Sequence, residues 1–248
     1  MMQDKDIAVC QDTVRQMYAS EKEIEKYCER ATAGLLDWED AIIGKYFPSP
    51  PQPVLDVGCG AGREAFALQE LGYDVTAVDI SEELLRAARS KSNEQGRPIT
   101  FLHCDGKHLN FDDDSFACVL IPSQVMGNIP GASSRLEFLR EAWRVLRADG
   151  IVVFCGHNRS IAEQLAHQEG VVHASAGLED GDLIWSESDS GAPCYWHYFT
   201  TEEVTVLCES AGFRVLTCCL ASELIEGGWD TIILCACAKS GRVSTVAS

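Results

Sequence analysis

The chain is short of positive charge. Twenty Lys and Arg stand against 38 Asp and Glu in 248 residues, a formal net charge of −18. Phosphate backbones are held by Lys and Arg, so this balance argues against a nucleic-acid partner and leaves room for a small cationic ligand. Long apolar runs are missing too: no uncharged stretch reaches the roughly 18 residues of a spanning helix, and no membrane partner is expected. The N-terminus opens on Gln3, Asp4, Lys5 and Asp6 without the apolar core of an export signal, which predicts a cytoplasmic protein. Cysteine is plentiful, twelve in all, but no disulfide framework is visible. Cys59, Cys118, Cys155, Cys235 and Cys237 fall in apolar, strand-like runs, where a thiol behaves as a small hydrophobe. Neither the adjacent Cys218 and Cys219 nor the Cys235/Cys237 pair has zinc-knuckle spacing, so no metal is expected. What is present is an ordinary globular composition, 46% hydrophobic and 23% charged, long enough for one elaborated domain.

Helical spacing runs through residues 4–47: Ile7, Cys10, Val14 and Met17, then Ile24, Tyr27, Cys28, Ala31 and Leu35, with a Ser20/Glu23 capping box between them. Pro48, Pro50, Pro51 and Pro53 end that region. Beyond them, strand-like runs (Val54–Val57, Val75–Val78, Ile99–Leu102, Phe116–Ile121, Ile151–Cys155) alternate with amphipathic segments (Glu64–Leu71, Glu82–Ser92, and a helix that Ser134 and Glu137 are expected to cap). Asp112, Asp113 and Asp114 read as a solvated turn. Strands alternating with helices predict a doubly wound, mainly parallel sheet. From Ser160 to Phe213 there are ten acids and no Lys or Arg; most of this stretch reads as an insertion, closing on Tyr195, Trp196, His197, Tyr198 and Phe199. A helix capped by Thr200 and Glu203 and two late strands follow. The expected divisions are a helical cap (1–50), a cofactor-binding core (51–159), a lid (160–200), the C-terminal part of the core sheet (201–239) and a flexible tail (240–248).

The sharpest motif is Val54-Leu55-Asp56-Val57-Gly58-Cys59-Gly60-Ala61-Gly62-Arg63. A buried strand enters a glycine-rich turn whose backbone can approach a ligand without Cβ obstruction, and the helix behind it offers free N–H groups to an anion. A dinucleotide fingerprint would need a small residue at position 63, where Arg63 stands, and the Gly-Lys-Ser/Thr of a phosphate loop is absent. Asp79 ends the second strand on the carboxyl edge where doubly wound proteins bind ligands, placed to accept from ribose hydroxyls. Asp105 follows the third strand. Three acids at three successive strand ends suit a ligand with amine donors and positive charge.

These motifs resemble the class I S-adenosylmethionine-dependent methyltransferases, from about Pro53 to Ala238. The resemblance implies a seven-stranded sheet with an antiparallel last strand, and S-adenosylmethionine as cofactor with S-adenosylhomocysteine as product. It implies that Asp56, Gly58, Cys59, Gly60 and Gly62 hold the methionine part. Asp79 takes the ribose hydroxyls, Ile80 packs on adenine, Asp105 accepts from its amino group with the Gly106 main chain nearby, and Ile121 ends the fourth strand beside the cofactor. The segment Ile121-Pro122-Ser123-Gln124-Val125-Met126-Gly127-Asn128 lacks the Asn/Asp-Pro-Pro-Tyr/Phe signature of base and glutamine methylation, which points to a small-molecule acceptor. Ser123, Gln124, Asn128, Tyr195 and Trp196 are candidate acceptor contacts. His157, past the fifth strand, and His197 are candidate general bases. Tyr18 and Tyr27 either cover the cofactor or only pack. A tRNA or peptide acceptor, or a protein that binds the cofactor without transferring methyl, are the alternatives. The oligomeric state is open.

Overall fold

The computed structural model describes residues 2–105, 108–161, 171–172, 178–185 and 193–240. Three helices, α1 (Asp4–Tyr18), α2 (Glu21–Arg30) and α3 (Asp37–Tyr46), precede β1 (Pro53–Val57), α4 (Arg63–Glu70), β2 (Asp74–Asp79), α5 (Glu82–Gln95), β3 (Thr100–His103) and β4 (Phe116–Ile121). A 3₁₀ turn (Val125–Asn128), α6 (Ala132–Val145), β5 (Leu146–His157), β6 (Val171–Val172), β7 (Asp182–Trp185), β8 (Cys194–His197), α7 (Thr201–Ser210), β9 (Phe213–Leu220), α8 (Ala221–Leu224) and β10 (Ile232–Lys239) complete the described elements.

The main sheet has seven strands in the order β3-β2-β1-β4-β5-β10-β9. It is parallel except for β10, which runs antiparallel to both β5 and β9. Successive residues of the central strands belong to opposite cores. Val54, Cys118, Leu120, Val153 and Leu234 face α3, α4 and α5, whereas Leu55, Val119, Ile121, Val152 and Ile233 face α6 and α7. Period-two burial on both faces is why these strands read as continuous apolar runs. The order reverses between β1 and β4, so the carboxyl edge opens a crevice there.

The insertion is a second, antiparallel sheet, β6-β7-β8. Its inner residue Tyr195 packs with Met2 and Cys10 of the N-terminal segment, alongside Ile7 and Val14, so the expected cap and lid lie against one another. Residues 162–170, 173–177 and 186–192 of the expected lid, and the tail from 241, lie outside the described residues.

Local caps form where the sequence predicts them at Ser20, which accepts from the Glu23 N–H at 3.3 Å, and at Thr200, which accepts from the Glu203 N–H at 3.1 Å. The Ser134/Glu137 cap does not form. Helix α6 starts earlier, at Ala132 after Gly131, because Glu179 reaches in from the insertion and accepts the Ala132 N–H at 3.0 Å. The Asp112–Asp114 turn is exposed, as expected, and it also anchors a buried cation. Lys239, buried at the end of β10, donates to Asp114 Oδ1 and to the Leu146 carbonyl, both at 2.6 Å, and lies 4.1 Å from the centre of the Trp143 ring.

Lys239 therefore fastens the antiparallel strand to the turn where α6 becomes β5. Lys239→Ala should cost about 2–3 kcal/mol and lower the melting midpoint by about 4–10 °C. An unchanged thermal melt would show that this ammonium contributes no stability.

Candidate functional site

A cavity of about 560 Å³ opens at the carboxyl ends of β1, β2 and β4. Its floor is the glycine turn. Gly58 and Gly60 adopt φ of +84° and +52°, and both Gly58 and Cys59 donate N–H to the Val78 carbonyl, at 2.8 and 3.1 Å. A Cβ on Gly58 would sit 2.3 Å from Val125 Cγ2, and one on Gly60 would sit 3.1 Å from the Tyr27 ring. The turn is thus closed on one side by the 3₁₀ segment after β4 and on the other by α2.

Asp79 is held on the cavity wall by both carboxylate oxygens. One oxygen accepts the Gly60 N–H at 2.7 Å and the other accepts the Ser81 N–H at 2.8 Å. Burial pushes its carboxyl above the usual range, opposed by these N–H donors. Ile80 beside it exposes 39% of its surface, and Asp105 also lines the cavity. Gly106 lies outside the described residues.

The 3₁₀ segment is set by backbone strain. Ser123 and Gln124 both take positive φ, +50° and +67°, a region costly for residues with a Cβ and common at functional sites. This double twist turns Val125 onto Gly58 and brings Asn128 to α1, where its Nδ2 donates to the Tyr18 hydroxyl at 3.0 Å. Tyr18 and Tyr27 meet edge to face at 5.8 Å, and burial raises both hydroxyls above their ordinary value, Tyr27 to about 12.

Several expected site residues are placed elsewhere. Asp56, Cys59, Gly62, Ile121 and Gln124 are not among the cavity-lining residues. Asp56 is 0% exposed behind the turn, and neither of its oxygens has a hydrogen-bond partner. Gln124 is buried with its Oε1 unpartnered. The two histidines are corrected as bases facing the cavity. His157 stacks on Tyr198 at 5.3 Å and meets Trp196 edge-on at 5.2 Å, and burial drops its pKa to about 4. His197 is buried, its Nδ1 2.7 Å from Asp182 and its Nε2 2.8 Å from Glu203. Tyr195 is buried and donates to Asp182 at 2.6 Å. Trp196 packs over Gly127, near the point where the backbone carbonyl of His197 leaves no room for a Cβ. Of the expected acceptor contacts, Ser123 and Asn128 line the cavity.

The residues that sequence reading missed lie on two helices. Asp4, Ile7, Gln11, Val14 and Arg15 come from one face of α1, and Ser133, Ser134, Glu137 and Phe138 come from the start of α6. On α1 the lining recurs at i, i+3, i+7 and i+11, a helical period, but its mixed polarity hides it from an apolar-stripe search.

The unpartnered Asp56 carboxyl makes a pH prediction. Burial first, then the nearby Glu64 and Asp79, raise it well above its ordinary 3.8. A carboxyl that binds its proton more tightly folded than unfolded favours folding while protonated, and that contribution is lost as pH rises above the ordinary value. Asp56→Asn should therefore raise the melting midpoint of the ligand-free protein at pH 8 by about 3–6 °C, with the gain shrinking toward pH 4. A pH-independent difference between variant and wild type would refute the assignment.

Comparison with known proteins agrees with this geometry. Residues 55–154 match a family model described as a methyltransferase domain. An uncharacterized methyltransferase of Bacillus subtilis, YodH, is 37% identical over 50% of this chain and 51% of its own length. A demethylmenaquinone methyltransferase of Clavibacter sepedonicus is 34% identical over 48% of this chain and 46% of its own. The chain spans about half the length of these curated relatives. Among solved structures, a SAM-dependent methyltransferase from Methanosarcina mazei superposes with a TM-score of 0.69 at 21% identity, covering 84% of this chain and 99% of that one. From β1 to β5 the chain is thus similar to a methyltransferase domain, and its seven-stranded fold is that of the solved S-adenosylmethionine-dependent methyltransferase.

Proposed function

We propose that the chain transfers a methyl group from S-adenosylmethionine to a small-molecule acceptor at this cavity, leaving S-adenosylhomocysteine. The observation that carries the proposal is Asp79, both of whose oxygens are oriented by backbone N–H groups while the carboxylate still lines an open cavity. A cluster of donors and acceptors built this way is poised for a pair of hydroxyls. The residues around it fit the cofactor. Gly58 and Gly60 line the cavity with backbone and let Val125 and Tyr27 close over the turn, where a Cβ would collide, Ile80 offers an exposed apolar face to a flat ring, and Asp105 is an acceptor for an amine.

The cofactor, when bound, supplies an electrophilic methyl on a sulfonium, so displacement needs no protein nucleophile. The chain contributes orientation and exclusion of water. The Tyr18 and Tyr27 rings and Asn128 close one side of the cavity. The acceptor enters between α1 and α6, past Ile7, Val14 and Phe138, with Gln11, Ser133 and Ser134 as polar contacts. Asp4 and Glu137 are the carboxylates on this side that can take a proton, the role the two histidines are too enclosed to fill. A mixed apolar and polar mouth suits a compact, partly apolar acceptor, as the demethylmenaquinone methyltransferase name implies for that relative. One basic residue at the cavity, Arg15, together with a net charge of −18, disfavours tRNA.

Calorimetric titration with S-adenosylhomocysteine and S-adenosylmethionine should show micromolar binding, no response to NADH, and a loss of about 30-fold or more in Asp79→Ala, about 2 kcal/mol. Release of S-adenosylhomocysteine should then follow addition of a quinol, phenol or amine acceptor. Absence of binding would overturn the cofactor assignment. Binding without transfer to any acceptor of these classes would leave a binding protein.

A further inference from the structure

The edge of the sheet away from the cavity gathers thiols from three elements. Cys235 and Cys237 are two residues apart on β10, hence on one face, and their sulfurs lie 3.4 Å apart. Cys208, from α7 packed over that face, places its sulfur 3.9 Å from that of Cys235. The sulfurs of Cys208, Cys235 and Cys237 all lie within 4.8 Å of one another, and the three side chains are fully buried. Cys218 stands directly across the β9–β10 ladder from Cys235, its thiol donating to the Thr201 carbonyl at 3.5 Å, which places it as the fourth ligand once it turns toward the other three sulfurs. It is only half-buried, which leaves a way in from solvent.

We propose that Cys208, Cys218, Cys235 and Cys237 form a structural site for Zn²⁺. A tetrahedral zinc with bonds of about 2.3 Å to sulfur sets its ligands about 3.8 Å apart, and the contacts of 3.4 and 3.9 Å bracket that separation. On binding, four S–H protons leave to solvent, four zinc–sulfur bonds form, and no electron is transferred. The shell around the sulfurs is apolar: Val204, Phe213, Ile233 and their neighbours share this core. Soft thiolate ligands in such a shell favour zinc over the hard, oxygen-seeking cations. Linear spacing hides the site because its ligands converge only when α7 folds over the ladder. A second cluster of metal-binding residue types among the described residues, Glu179, Asp182 and His197, is a different case. There Arg135, Tyr195 and the Ala132 N–H already occupy the carboxylates.

The site is independent of the cavity and is tested without an activity assay. Protein produced with zinc in the medium and desalted should carry one zinc per chain by elemental analysis. The metal-free protein, loaded with Co²⁺, should show the intense visible absorption of a tetrahedral cobalt thiolate. Cys208→Ala should weaken Zn²⁺ binding about a hundredfold or more, with Cys219→Ser, on the opposite face of β9, unchanged. Wild-type protein that takes up neither zinc nor cobalt while all twelve thiols titrate as reduced would overturn the proposal. So would isolation with any of the four cysteines in a disulfide, or zinc retained in full by the Cys208→Ala/Cys237→Ala double variant.

Discussion

The Arg63 guanidinium is the fixture on which the cavity floor rests. It donates to Glu39 at 2.6 and 2.8 Å, to the Gly34 carbonyl at 2.9 Å and to Ser123 Oγ at 3.3 Å, and it pairs with Glu64. Those partners come from the N-terminal helices, from α4 and from the twist after β4, so one planar cation ties three separate pieces of chain beneath the glycine turn. A bidentate, fixed fork suits that task in a way an ammonium would not. The position is the one where a dinucleotide fold needs a small residue for close helix packing. Here the space is filled with a clamp instead, and the same substitution that speaks against a dinucleotide has a structural use of its own.

The clamp carries too little charge for its surroundings. Glu39, Glu64 and Asp56 crowd one arginine, and the strain on the carboxyls is plain: Glu64 is raised to about 7 and Asp56 well above its ordinary range, each chiefly by burial. At neutral pH Glu64 therefore keeps part of a proton that an exposed acid would have released. A bound group bearing positive charge would relieve this excess of acid, whereas a pyrophosphate would add to it. The proposed sulfonium cofactor thus suits the floor's electrostatics as well as the shape of the turn, and a dinucleotide suits neither.

Much of this was legible in the sequence, and the reason differs from part to part. The glycine turn, the acids in β1 and β2, and the alternation of strands with helices rest on local chemistry: burial on both faces makes apolar strands, and a turn without Cβ atoms needs glycine; the seven-strand sheet was implied by the resemblance to the class I methyltransferases. The Ser20 and Thr200 caps are equally local. The expected histidine roles failed because enclosure is a tertiary property; nothing near His197 in the chain announces Asp182, fifteen residues away on another strand of the insertion. The α6 cap failed in the same way, since Glu179 lies 47 residues from the amide it holds. Face α1 toward the cavity and its Gln11 and Arg15 become lining residues, but their polarity alone would have placed them in solvent.

Enclosure also gives the insertion its purpose. Arg135, 1% exposed in α6, donates to the Ile129 carbonyl and to Glu179. The Glu179 N–H donates to Asp182, Asp182 meets Tyr195 and His197, and His197 meets Glu203, which in turn pairs with Arg159. This buried chain of polar contacts joins the insertion to α6, α7 and the end of β5. The Tyr195 ring at its centre packs against α1, and α1 is a wall of the cavity. Breaking one member would leave a buried charge without its partner, a cost larger than that of an ordinary contact, and would loosen α1 from behind. The histidine that looked like a base is better understood as a strut: it never reaches the cavity, but the wall an acceptor would meet leans on it.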